Sequence, residues 1–156
     1  MSGISFALAT AEHATAEALK ALPPREWMVF QDVCWPGRRH TDIDHIAIGP
    51  SGVFGIDTLA RPNGRLRESA VRGVAVAASQ IAGLICSVPR ILVTPVLCFW
   101  GDDESTGWAG EVRVCSAGNL AATLASRPVV LTPEQVRLVT LELDIVLREA
   151  VVPHPA

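Results

Sequence analysis

The sequence predicts an α/β fold: a mixed central sheet between helices, of restriction-endonuclease-like type, in the order α-β-β-β-α-β followed by β-α-α. Two observations carry that expectation. Residues 42–59, Asp-Ile-Asp-His-Ile-Ala-Ile-Gly-Pro-Ser-Gly-Val-Phe-Gly-Ile-Asp-Thr-Leu, read as a β-hairpin around Gly49-Pro50-Ser51-Gly52. A breaker-poor stretch, 70–87, then leads into the continuous apolar, β-rich run Ile91 to Phe99, as expected for a helix crossing over to a buried central strand.

The elements follow in order. Leu8, Glu12, Thr15 and Leu19 recur at helical spacing until Pro23-Pro24, predicting a first helix over 8–22. Trp27 to Cys34 is a strand that stops at Pro36-Gly37. The hairpin strands span 43–49 and 53–59. Pro62-Asn63-Gly64 is a turn, 70–87 the second helix and Ile91–Phe99 the central strand. Gly101–Gly110 is a polar loop, and Glu111–Cys115 alternates as a further strand. Residues 117–126 form a short helix, and Thr132-Pro133-Glu134-Gln135 opens a last one with an N-cap, a proline and an acid. The expected organisation is one domain over 1–152 with a frayed tail at 153–156.

Composition narrows the function. At 156 residues and 49% hydrophobic content, the chain can bury a sizeable core. A net charge of −3 confines any nucleic-acid contact to a local patch. All the basic residues are arginine except Lys20. Cys34, Cys86, Cys98 and Cys115 form no Cys-x-x-Cys pair and read as buried, reduced thiols of a cytoplasmic protein. The first 19 residues carry no Lys or Arg, so no signal-peptide n-region is expected. Val74–Trp100 is apolar, but Gln80 and Pro89-Arg90 break it into pieces shorter than the about 20 residues of a spanning helix, so no membrane contact is expected.

The hairpin is where chemistry is expected. A symmetric turn sets Ile48 opposite Val53, Ile46 opposite Gly55 and Asp44 opposite Asp57. Opposed side chains lie roughly 5 Å apart, where like charges repel. A cation is therefore expected between the two acids, and a divalent metal is the leading candidate. By strict alternation Asp44 shares a face with Ile46 and Ile48, while Ile43, Ala47, Phe54 and Ile56 line the other. Neither face is polar, so neither aspartate belongs to a solvated surface. Glu12 lies on the buried stripe of the first helix and could complete an oxygen-rich site for Mg²⁺. Arg38 and Arg39 precede the pair, and Arg61, Arg65, Arg67 and Arg72 follow it, a charge pattern suited to a phosphodiester backbone. The competing reading leaves one aspartate solvated at the strand end while the other caps or pairs with an arginine, and side chains each partnered by its own arginine would remove the site. His45 is expected on the face opposite Asp44, as a core or supporting hydrogen-bonder. His13 and His40 have no metal-ligand spacing, and the four tryptophans read as packing residues.

The hairpin segment resembles the signature of the NERD (nuclease-related) domain family, which is similar to the PD-(D/E)xK nucleases. Glu12 falls at the family's helix-one glutamate, Trp27–Pro36 at its first strand, Gln80 at a glutamine of its second helix, and Thr94–Gly101 at the following strand. The resemblance implies a phosphodiesterase core using Mg²⁺ (or Mn²⁺), held by Asp44, Asp57 and Glu12, with Gln80 supporting the metal or the water. It also implies a lysine two residues after Asp57, where this chain has Leu59. Leucine neither relays a proton nor stabilises charge on phosphorus. Lys20 cannot substitute, being about 12 Å along the helix from Glu12 and about 80° round it. The segment 64–80 is also shorter than the family's usual insert. The expected function is weak, metal-dependent hydrolysis of nucleic acid, DNA foremost. The alternative is an inactive module that binds nucleic acid or a protein partner, with self-association through a strand edge or the last helix as a third possibility.

Overall fold

The computed structural model describes residues 3–35, 43–60, 66–100 and 106–149. Its elements are α1 (Gly3–Leu19), β1 (Met28–Val33), β2 (Ile43–Gly49), β3 (Gly52–Ala60), α2 (Glu68–Leu84), β4 (Val93–Trp100), β5 (Gly107–Ala109), β6 (Val112–Ser116), a 3₁₀ turn leading into α3 (Leu120–Ala125), and α4 (Pro133–Glu149). The predicted α/β class is what forms. One short strand, β5, lies within the polar loop expected over Gly101–Gly110: its three residues are too few to show alternation, and its described strand partner is β6.

The sheet has six strands in the order β1-β2-β3-β4-β6-β5. β1, β2 and β3 form an antiparallel meander, α2 crosses over to β4, and β4 runs parallel to both β3 and β6. The Val74–Trp100 run is thus helix then strand, and no helix among the described residues is long and apolar enough to cross a membrane. On one face α2 and α4 cover Ile46, Ile48, Val53 and Leu97 with Val74, Ile81, Val139 and Leu143. On the other, the end of α1 and α3 cover Ala47, Phe54, Ile56, Val96 and Cys98.

The hairpin has the expected register, with Ile48 opposite Val53 and Ile46 opposite Gly55. Gly52, at φ +128°, supplies the turn conformation that a side chain would resist. The turn is tied down on two sides. Ser51 Oγ donates to the Leu124 carbonyl at 2.6 Å, and the Pro50 carbonyl accepts Val130 N–H at 2.8 Å and Leu131 N–H at 3.1 Å. The opposite end carries the acids, so the hairpin is anchored where it does no chemistry.

Strict alternation fails at one place. Ile43 packs with Ile46 and Ile48 under α2, not with Ala47 and Phe54. The neighbouring strand breaks step with it: Phe30 and Val33 both pack on that same core, and between them Asp32 takes φ +50°, a left-handed conformation that Asp tolerates better than most. The correction therefore concerns the sheet beside the acids, where both strands change face. α4 begins as predicted, with a reciprocal cap: Gln135 N–H donates to Thr132 Oγ1 at 3.1 Å, and Thr132 N–H to Gln135 Oε1 at 2.9 Å.

Gly49 lies flat under the Trp27 ring, whose carbons occupy the space a Cβ would need. A rigid, buried indole cannot move aside cheaply. Gly49→Ala is expected to destabilise the fold by about 1–3 kcal/mol, measured as a lower urea midpoint with unchanged slope.

Candidate functional site

At the end of the hairpin away from the turn, each aspartate replaces part of the backbone ladder. Asp44 N–H donates to Asp57 Oδ1 at 3.0 Å, and Thr58 N–H donates to Asp44 Oδ2 at 2.8 Å. The two carboxylates are thus cross-linked through each other's strand, as the register requires. One oxygen of each is used in these bonds.

The described residues around them do not neutralise them. Burial, then the Asp44 charge, then Glu12 push Asp57 up to about 6, although the Asp44 N–H bond pulls the other way. Burial raises Asp44 as well, opposed chiefly by the Thr58 N–H bond. Burial also raises Glu12, assisted by the charges of Asp44 and Asp32. Ion pairs among the described residues join Lys20 to Glu17, Arg72 to Glu68 and Arg148 to Asp144, and none involves this group. The reading in which each acid has its own arginine finds no support among the described residues.

Glu12 is held in the neighbourhood by a side-chain relay. Thr58 Oγ1 donates to Thr15 Oγ1 at 2.9 Å, and Thr15 Oγ1 lies 3.1 Å from the Ala11 carbonyl and 3.5 Å from Cys98 Sγ. Thr15 is three residues from Glu12 on the same face of α1, so this bond locks the helix carrying Glu12 to the strand carrying Asp57. Glu12 nevertheless stands back: among the described residues no group of three or more His, Cys, Asp or Glu is gathered closely enough to hold a metal ion. The donor set that fits a hard cation is the Asp44–Asp57 pair. Mg²⁺ is commonly bound by one or two carboxylates, the rest of its shell being water and phosphate.

The other predicted residues fall as follows. Gln80 is on the exposed side of α2, whose buried positions are Val74, Ala77, Ala78 and Ile81. Arg67 and Arg72 flank the start of α2, and Arg72 makes an exposed contact with Glu68 at 3.4 Å. Arg38, Arg39, His40, Arg61 and Arg65 lie outside the described residues. Lys20 is tied to Glu17 at 2.7 Å and cannot serve the site. Leu59 packs against the core under α2. His45 is buried, its Nδ1 has no hydrogen-bond partner, and burial holds its pKa down against Asp44 and Asp32.

Three features escaped the sequence reading. Asp32 stands facing Asp44 between the pairs Gln31–His45 and Val33–Ile43, and its charge reaches Glu12, Asp44 and His45. A lone acid inside a strand pattern was the available signal. Trp108 is not a packing residue: it is 50% exposed, and the guanidiniums of Arg113 and Arg127 sit 5.0 and 5.3 Å from its ring centre. Trp100 is also half-exposed, whereas Trp27 and Trp35 are buried as expected. All four cysteines are free, but Cys86 is exposed and Cys34 partly so.

The profile of the nuclease-related domain matches residues 7–100, a span that runs from within α1 through β1, the hairpin and α2 to the end of β4. The chain belongs to the nuclease-related domain family. No curated protein and no solved structure matches it. Membership of the NERD family gives the chain a nuclease-related function in general terms, and the matched span ends with the strand beside β3.

The raised proton affinity of Asp57 has a measurable consequence. Folded, it binds its proton more tightly than its ordinary 3.8 allows, so its contribution to stability is complete below that pH and is lost as pH rises through about 6. Asp57→Asn keeps the acceptor for Asp44 N–H but removes the charge. It is expected to stabilise the metal-free protein by about 1–3 kcal/mol at pH 7.5 and by little near pH 4, read from melting curves across pH. A loss of stability at pH 7.5 would mean that a cation already neutralises the pair.

Proposed function

We propose that this NERD-family protein is a metal-dependent phosphodiesterase acting on nucleic acid, DNA foremost, with a weakened active site. The observation that carries this reading is the Asp44–Asp57 pair: two partly buried carboxylates bonded to each other's strand, with raised proton affinities and no described cation beside them. Mg²⁺ or Mn²⁺ would be held by Asp44 and Asp57, with Glu12 adding negative charge from α1. When bound, the ion would neutralise the acids, polarise a phosphoryl oxygen and acidify a bound water.

The chain's own groups explain why the activity would be weak. Leu59 occupies the position of the family's lysine and supports the core instead. An arginine could stabilise developing charge but stays protonated near neutral pH, so it cannot act as the base. Gln80, on the exposed face of α2, would reach the site only through water. Arg38, Arg39, Arg61, Arg65, Arg67 and Arg72 would hold the nucleic-acid backbone beside the acids. Arg113 and Arg127, gathered on Trp108, would offer a second cationic surface at the far edge of the sheet. Four free cysteines suit a cytoplasmic setting.

A second reading, an inactive module that binds nucleic acid or a protein, is favoured by one observation: Leu59 is partly buried and packs against the core. The experiment separates the two. Mn²⁺ at a hundredfold excess over its Kd should stabilise the wild type by about 2.7 kcal/mol, and Asp44→Asn should abolish that shift. Leu59→Lys should raise metal-dependent cleavage of plasmid and single-stranded DNA above the wild type, and Asp57→Ala should remove all cleavage. If neither wild type nor Leu59→Lys cuts any DNA or RNA, the hydrolase reading fails. Salt-sensitive DNA binding in the presence of a chelator would then support the module.

A further inference from the structure

α4 is apolar on two sides. Val136, Val139 and Leu143 face inward and are buried, whereas Leu138, Leu141 and Ile145 are 45%, 59% and 59% exposed. Single exposed leucines are ordinary. These three form one seam, and Leu141 also borders a cleft of about 730 Å³ that Trp27, Met28, Pro50, Leu131 and Val136 help to line. The apolar surface is therefore continuous from the helix into the cleft.

The seam extends to Glu134 at one end and Arg148 at the other, both exposed. Glu134, Leu138, Leu141, Ile145 and Arg148 follow one another at steps of four, three, four and three residues. That is the 3.5-residue repeat by which one helix packs along another. About Leu141, Glu134 and Arg148 lie seven residues away on either side and Leu138 and Ile145 three and four, so the spacing is symmetric to within one residue. A second α4 laid antiparallel would set Leu141 against Leu141, Leu138 against Ile145, and Glu134 against Arg148. A parallel arrangement would set Glu134 against Glu134 and Arg148 against Arg148. Charge thus selects the antiparallel pair, which has the two-fold symmetry of a closed dimer.

From this we infer that the exposed face of α4 is a self-association surface whose occupant is α4 of a second copy of the chain. A lipid surface fits poorly: a helix lying on a membrane carries a Lys/Arg-rich polar side, whereas α4 carries Glu134, Glu142, Asp144 and Glu149 against Arg137 and Arg148. The inference does not use the aspartate pair and goes beyond the proposed hydrolysis.

Sedimentation velocity of the full chain across concentrations tests it. The wild type should shift toward twice the chain mass as concentration rises, and Leu141→Glu should remain a monomer with unchanged circular dichroism. Glu134→Arg and Arg148→Glu should each weaken association about tenfold, because each turns two attractions of the dimer into repulsions. Combining them should restore association to near the wild-type value. Each substitution alone also opposes the helix dipole, and the double variant suffers both effects. Restoration therefore cannot come from improved folding. A wild type monomeric at every concentration, association that survives Leu141→Glu, or a double variant weaker than both single ones would each overturn the proposal.

Discussion

Two like charges held within reach of each other need a frame that stops them separating, and the rest of the molecule supplies it. The Gly49–Gly52 turn sets the register, and apolar pairs on both faces of β2 and β3 lock it. A slip of one residue would move every core side chain to the wrong face. Asp44 and Asp57 therefore cannot drift apart by strand sliding. What remains of their repulsion is offset locally, because each accepts a backbone N–H from the other's strand. The same bonds aim the pair, and the Thr58–Thr15 contact then registers α1 on the hairpin, so that Glu12 joins the negative field.

The parts legible in the sequence were those governed by strong local rules. Turn chemistry and period-two alternation were enough to place Asp44 against Asp57, and the Thr132–Gln135 cap was readable because capping boxes are local. The exceptions arise where a distant contact overrides a local rule. Ile43 leaves its expected face because the adjoining strand turns left-handed at Asp32, a feature of two strands together. Gln80 is expected near the acids from the family resemblance, yet the faces of α2 are decided by which of its residues meet β3 and β4. Trp108 looked like core because tryptophans usually are; an edge strand of three residues offers no cover for it. Three acids can be recognised in sequence, but whether they close to within one ion's coordination shell depends on how α1 sits, which no periodicity encodes.

Leu59 stands two residues beyond Asp57 on the same strand face and packs against the core under α2. A lysine on the same strand face, two residues beyond Asp57, would put a positive charge beside the pair and lower the proton affinity of both acids. With leucine there, the face gains apolar packing under α2 and loses that compensation. Among the described residues no cation pairs with the acids, so ionising both together stays costly.

The fold also keeps its two exposed features apart. The Pro50 carbonyl bonds Val130 and Leu131 just before α4 begins, and Glu142 accepts the N–H groups of Cys86 and Ser87 beyond the end of α2. Both attachments lie at the turn end of the hairpin, since β4 enters the sheet with Val93 beside Val53. The aspartates occupy the other end. An association through α4 would therefore leave the acid pair open, and its two-fold axis would present two such sites on one particle. A long nucleic acid could then be engaged at both at once, which raises its effective concentration at the second site without any new contact. Under the proposed hydrolysis, longer residence of the substrate would offset slow chemistry at each site.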